Sequence, residues 1–273
     1  MLEIIYFLLI GVCTGILSGL FGIGGGIITV PALIFVLQLH PVFQAADTMH
    51  IAACTSLATM AMTSVSSAHA YHRRNALVWP IFWRILPGLC LGLLFGTALS
   101  HLFSNKVLIE LFAVFLIAMG IHLLFDARRY QSPATTSGFK SDQQKFSVNQ
   151  QWLLVGGSFI VGNLSALFGI GGGVLLVPLF LQLRCTMHQA SGTSALCGIV
   201  SALVGMLLLS SLPQPVSQLP HILGNIYWPA ALFIGIASVI CAPLGARLAF
   251  YLKTPLLKQL FSGVLFISAW CLF

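Results

Sequence analysis

A seventeen-residue block occurs twice in this chain, and both copies place a glycine cluster inside apolar sequence. Gly15-Ile-Leu-Ser-Gly-Leu-Phe-Gly-Ile-Gly-Gly-Gly-Ile-Ile-Thr-Val-Pro31 aligns without gaps on Gly162-Asn-Leu-Ser-Ala-Leu-Phe-Gly-Ile-Gly-Gly-Gly-Val-Leu-Leu-Val-Pro178, with 12 of 17 positions identical. Further pairs follow in the same order: Ala52, Thr55 and Ser56 with Ala190, Thr193 and Ser194, then Asn75 and Trp79 with Asn225 and Trp228, and Gly96 with Gly245. Offsets of 147, 138 and 149–150 mean that the halves share an order of elements and differ in loop length. The chain must use one supersecondary plan twice. Glycine costs about 1 kcal/mol relative to alanine inside a helix, so each cluster is expected to break the helix it interrupts.

Composition decides the solvent. Of 273 residues 58% are apolar and 6% charged, against about a quarter charged in soluble proteins. Twelve Lys and Arg with five Asp and Glu cannot solvate a globular surface, so a soluble enzyme is excluded, and disorder falls with it because low hydrophobicity is its signature. Apolar stretches run over about 4–21, 27–39, 46–69, 77–100, 107–125, 152–168, 174–183, 189–212, 226–250 and 256–273. A membrane crossing needs about 20 residues; stretches 46–69, 77–100, 107–125, 189–212, 226–250 and 256–273 suffice. The other four form two glycine-split pairs whose second members are short. Leu2 to Leu20 lack the basic start and small-residue cleavage site of a signal peptide, and Gly11, Gly15 and Gly19 read as a helix-packing face, so the segment is expected to be retained. The segment 126–151 is the one long polar stretch, which divides the chain into an N-terminal repeat, 1–125, a connector, 126–151, and a C-terminal repeat, 152–273. The seven cysteines form no C-x-x-C pair and read as small packing residues.

The net charge of +7 would suggest nucleic acid in a soluble protein; here the positions of the charges matter more. Lys and Arg concentrate in cytoplasmic loops. Arg73 and Arg74 follow the third stretch, whereas the corresponding loop at about 212–225 has no basic residue. The loop 40–45 has none either, whereas its counterpart at 184–188 begins with Arg184. Corresponding loops therefore fall on opposite sides, the pattern of an inverted-topology repeat. With the connector inside, eleven of twelve basic residues are cytoplasmic, Arg84 by snorkelling, and Lys106 is the exception. Both termini face outward. Each half must cross an odd number of times, so each glycine-split pair contributes zero or two crossings. A re-entrant hairpin and two full helices both satisfy that rule, and the shortness of 27–39 and 174–183 favours the hairpin. The expected fold is an all-α polytopic membrane protein of two inverted repeats, each a glycine-broken pair followed by three transmembrane helices.

Non-helical backbone at membrane depth is tolerated where it is buried or lines a cavity, and paired breaks in inverted halves point to a midplane site. Gly22, Gly24, Gly25 and Gly26, with Gly169, Gly171, Gly172 and Gly173, would offer backbone N–H groups and the positive ends of helix dipoles to an anion. The competing role is close helix packing, as at Gly88, Gly92 and Gly96. Neither block completes a nucleotide-binding G-x-G-x-x-G or a P-loop. Ser18 and Ser165, Thr55 and Ser56, and Thr193 and Ser194 supply hydroxyls at matching positions, either to the anion or to their own helix carbonyls. Asn163, whose repeat partner is Ile16, would add an amide on one side only. His50 and His188 each lie five residues before the threonine; they are ordinary structural histidines or, if they protonate with bound anion, a route to proton coupling. Trp79 and Trp228, each before a proline, read as interface anchors at helix starts. No metal or cofactor site is indicated.

The duplicated S-x-L-F-G-I-G-G-G-x-x-x-V-P block, the later Thr-Ser in each half and the basic connector resemble the TauE/SafE sulfite exporter family, also called the toluene-sulfonate uptake permeases. The resemblance covers nearly the whole chain. It implies a cell-membrane transporter, in two homologous halves, of small sulfur-containing anions such as sulfite or organosulfonates, and leaves direction and substrate open. Two departures, Ala166 where the first half has Gly19 and a longer loop before His50, bear on selectivity. The expected partners are a small anion and the lipid bilayer, without nucleic acid. An anion channel or a permease for other small organic anions is the alternative; an intramembrane enzyme would need a catalytic cluster, and neither H-E-x-x-H nor G-x-S-x-G occurs.

Overall fold

A computed structural model describes residues 2–39, 48–100, 102–129, 148–183, 185–211, 222–223, 225–252 and 254–272. The loop 40–45, Arg184, Lys253 and most of the connector, with Lys140 and Lys145, lie outside the described residues. Ten helices follow the ten apolar stretches: α1 (Leu2–Phe21), α2 (Gly26–Leu39), α3 (Thr48–His72), α4 (Trp79–Ser100), α5 (Asn105–Arg129), α6 (Val148–Phe168), α7 (Gly173–Gln182), α8 (Met187–Ser210), α9 (Trp228–Ala249) and α10 (Thr254–Trp270). A minimal hairpin of β1 (Ile222–Leu223) and β2 (Ile226–Tyr227), paired Ile222 to Tyr227, precedes α9 and is the departure from an all-helical chain among the described residues.

Among the described residues six helices are long and apolar enough to cross a membrane: α1, α3, α4, α5, α8 and α9. The sequence reading placed 256–273 in this set and α1 outside it. The structure reverses the two: α1 is 20 residues long and strongly apolar, whereas α10 has 17 residues and falls short of that length.

Local chemistry sets the helix ends. Pro229 stands in the first turn of α9, where no helical N–H is lost. Thr186 and Gln189 form a capping box at the start of α8. Asn75 and Asn225, a pair in the repeat, both adopt positive φ, 53° and 63°, in the left-handed region that asparagine tolerates better than most residues. Asn75 closes α3, with its N–H on His72 O and that of Ala76 on Tyr71 O.

The most extensive packing joins α1 to α9 and α4 to α6, with α3 against both α8 and α9, α4 against α8, and α5 against α10. Exchanging α1–α5 for α6–α10 leaves this pairing pattern unchanged. Glycines make the two tightest seams. A Cβ at Gly15 would lie 2.7 Å from Ser238 Cα, and one at Gly88 2.6 Å from Val155 O. Along these seams Gly11, Gly15 and Gly19 meet Ile234, Ser238 and Ala242 in turn, and Gly88, Gly92 and Gly96 meet Val155, Phe159 and Asn163. Contacts that advance together mean that α1 runs parallel to α9 and α4 parallel to α6.

Two ends of the bundle follow. At one, Arg74 after α3 lies 4.3 Å over the ring of Phe250 after α9, and that ring stacks on His188 in the first turn of α8 at 4.2 Å. At the other, Met49 N–H donates to Asn105 Oδ1, Asn225 Nδ2 donates to Leu209 O, and Phe7 packs edge-on against Tyr227. The helices α1 and α6 therefore start at opposite ends.

Candidate functional site

Each glycine cluster ends one helix and starts another that folds back along it. Gly22, Gly24, Gly25, Gly169, Gly171 and Gly172 all have positive φ, which side chains other than asparagine and aspartate rarely adopt. In the first half Thr29 Oγ1 of α2 lies 3.4 Å from Thr14 Oγ1 of α1. In the second a Cβ at Gly157 of α6 would meet Leu179 of α7 at 3.1 Å. At 14 and 10 residues, α2 and α7 are about 21 and 15 Å long, short of a full crossing.

The two hairpin tips touch. A Cβ at Gly26 would sit 2.8 Å from Ile170 Cα, and one at Gly173 would sit 2.6 Å from Ile23 Cα. Their surroundings exchange in the same way: Gly22 abuts Ser191 of α8 and Gly169 abuts Ala53 of α3, while Gly25 faces Thr14 and Gly172 faces Val161. Met60, midway along α3, breaks the symmetry. Its methyl group lies against both Gly24 and Gly171, and its sulfur would be 2.8 Å from a Cβ at Gly26. In α8 the corresponding position is Gly198, which lies against Ser64.

Hydrogen bonding leaves the tips electropositive. Ser201 Oγ donates to Gly171 O at 2.6 Å, Ser194 Oγ to Gly173 O at 3.0 Å, and Thr29 Oγ1 to Gly25 O at 3.2 Å. These hydroxyls cover the carbonyl side. At the second tip the N–H side has no side-chain cover: the N-cap of α7 is Gly172, with no side-chain cap bond, and the first N–H groups of a helix have no intrahelical acceptor. Three fully buried hydroxyls, Ser56, Ser64 and Ser165, have no hydrogen-bond partner among the described residues. Ser64 Oγ lies between the tip and α8, 2.8 Å from a Cβ at Gly24 and 3.0 Å from one at Gly198. An unsatisfied buried hydroxyl costs about 1–3 kcal/mol, and an anion would satisfy it.

The other residues singled out in the sequence are distributed differently. Ser18 O and Ser165 O accept the N–H of Gly22 and Gly169, and Ser18 Oγ lies 3.4 Å from Ser67 Oγ. Thr55 Oγ1 accepts the N–H of Tyr227, and Thr193 Oγ1 that of Val78, so each threonine secures the start of a helix in the opposite half. Val161 and Ser165 face the tip, and Asn163, about 200° round α6 from each, packs its backbone on Gly92 and Gly96. His50 and His188 each lie ten residues from the α3 and α8 midpoints at Met60 and Gly198, about 15 Å along the helix and at opposite ends of the bundle. Arg84 turns back one turn to donate to Pro80 O at 3.0 Å, toward the start of α4, as snorkelling requires.

Sequence reasoning passed over Met60, Ser64, Ser201 and Tyr71. Tyr71 is fully buried and its hydroxyl lies 2.9 Å from Gly19 O and 3.1 Å from Leu20 O, next to the end of α1. The run of Ser and Thr from Thr55 to Ser67 was the available signal for Ser64; methionine in an apolar helix carries none. The seven cysteines are free, and burial pushes the Cys185 thiol up to about 12, which keeps it neutral. No group of three His, Cys, Asp or Glu able to hold a metal occurs among the described residues.

A family model described as Sulfite exporter TauE/SafE matches residues 7–272. A "Probable membrane transporter protein" of Haemophilus influenzae is 30% identical over 264 residues, covering 96% of this chain and 95% of its own length. "Probable membrane transporter protein YunE" of Bacillus subtilis is 26% identical, covering 97% and 96%, and a protein of Methanocaldococcus jannaschii described in similar words is 25% identical, covering 94% and 91%. No solved structure matches.

Proposed function

The chain belongs to the sulfite exporter TauE/SafE family of multi-pass membrane transporters, and on that premise we propose that it is a secondary transporter of small sulfur-containing anions such as sulfite or organosulfonates. The anion binds at mid-depth between the hairpin tips. Its donors are the N–H groups at the starts of α2 and α7 and the hydroxyls of Ser64 and Ser165, with Ser56 one turn below Met60. A buried lysine or arginine is not needed there, since helix N-termini stabilise an anion without the insertion cost of a central cation. The observation that carries this reading is the contact of two glycine-led helix starts, of which that of α7 has no side-chain cap, beside buried, unpartnered serines.

The halves form an inverted repeat in the cell membrane, with both termini outside and the connector 126–151 in the cytoplasm. The opposite starts of α1 and α6, and the shared bundle end of Arg74, Arg247 and the start of α8, support that orientation. Transport follows from rocking one half against the other around the tips, with Met60 leaving its seat between Gly24 and Gly171. Counterflow of labelled sulfite into liposomes that hold the purified protein and unlabelled sulfite tests this. Saturable exchange is expected. Flux without exchange would make the protein a channel, and no exchange of any sulfur oxyanion or organosulfonate would remove the substrate class.

A further inference from the structure

We propose that the hollow between the C-terminal ends of α3 and α9 is a second anion site, which takes a small sulfur or phosphorus oxyanion. The cavity has a volume of about 360 Å³ and is lined by Arg73, Arg74 and Arg247 with His69, Ser66 and Pro243. No carboxylate occurs among its described lining residues. In a chain with 12 basic residues, three of them share one concavity, where their fields add and raise the local concentration of anions. Helix ends attract one cation each through their dipoles, which accounts for part of this charge and not for its convergence on one hollow.

The walls are built rather than incidental. Pro243 has no N–H, so the carbonyl four residues earlier, Val239 O, loses its helical donor. Ser66 Oγ of α3 donates to that carbonyl at 2.9 Å, which ties α3 to α9 at the side of the hollow. Arg74 is held over the Phe250 ring at 4.3 Å, with His188 stacked on the same ring. Arg73 and Arg247 are exposed, and their guanidinium forks suit a planar or tetrahedral oxyanion.

The hollow is distinct from the hairpin tips. His69 lies nine residues beyond Met60 on α3, about 14 Å along the helix. Ser64 and Ser67 stand between them on α3, and Ser67 reaches Ser18 beneath the first tip. This places a capture site at the bundle end where basic charge gathers, and its role in supplying the tips rests on the transporter reading above; its affinity for an oxyanion does not.

The test is equilibrium dialysis of labelled inorganic sulfate against the full chain in nanodiscs of zwitterionic phosphatidylcholine. The variant Arg73→Gln/Arg247→Gln leaves Arg74 on its ring, and Lys106→Gln at the other end of the bundle removes charge without touching the hollow. We expect the double variant to lose at least tenfold in sulfate affinity and Lys106→Gln to lose less than twofold, with both unfolding at the wild-type temperature. Nanodiscs containing phosphatidylglycerol separate the two sources of this chemistry: if lipid phosphate occupies the hollow, wild-type affinity falls to that of the double variant, and if free oxyanion does, it holds. Equal sulfate affinity of wild type and double variant in both lipids overturns the proposal. Sulfite counterflow separates the two readings: sulfate lost from the double variant in a chain that exchanges no sulfite leaves the hollow standing and the transporter reading fallen, and the reverse result does the opposite.

Discussion

At the scale of single residues, each tip glycine is fixed by what it touches. A Cβ at Gly171 would collide with the methyl end of Met60, whereas one at Gly169 would collide with the backbone of Ala53. Both positions also have positive φ, 62° and 68°, which costs about 1–2 kcal/mol for an L side chain. Gly171→Ala should therefore lower both unfolding temperature and sulfite exchange, and Met60→Ala added to it should restore part of the exchange by freeing the contested volume. Gly169→Ala should gain nothing from Met60→Ala; equal rescue of the two would mean that Met60 does not fill the space at the second tip. The threonines make a different prediction. Thr55→Val and Thr193→Val remove the acceptors of the Tyr227 and Val78 N–H groups at a cost of about 1–3 kcal/mol each, while Thr→Ser keeps the acceptor. Denaturation should register these losses with the KM of the proposed sulfite exchange unchanged, and a raised KM at full stability would assign the threonines to binding instead.

At the scale of elements, the two glycine seams hold the halves together. The pairs α1 with α9 and α4 with α6 both join one half to the other, and in each a row of three glycines at four-residue spacing lets backbones approach closely. Gly92→Leu drives a side chain into the Phe159 carbonyl, backbone that cannot turn aside, so it should cost more than the about 1–3 kcal/mol usual for overpacking. The expected result is loss of monodisperse protein on size-exclusion chromatography. Gly156→Leu, on the same bundle and with nothing within 4 Å of its Cβ position, should be tolerated; equal damage from both would show that the seam is not the cause. The short helices α2 and α7, of 14 and 10 residues, start against the middle of α3 and α8. Of the six candidate spans α3 is the most buried, at 78%.

For the whole molecule, orientation is the testable property. Arg73→Cys and Leu223→Cys occupy exposed positions at opposite ends of the bundle and avoid the left-handed backbone of Asn75 and Asn225. In intact cells an impermeant maleimide should label Leu223→Cys and spare Arg73→Cys; labelling of both from one side would end the inverted-repeat reading. The all-helical, membrane-spanning character of the chain and the order of its helices were legible in the sequence. They depend on local terms: apolar run length and the conformational freedom of glycine. The chain alone also established that lipid is its solvent, because 17 charged residues among 273 leave no other. Tertiary structure alone decided that the tips meet, that Met60 sits between them, that Thr55 and Thr193 serve helix starts in the opposite half, and that three arginines share one hollow. Each of those joins residues far apart in sequence or in different repeats, through packing and hydrogen bonds that arise only when two intertwined halves exclude lipid between them.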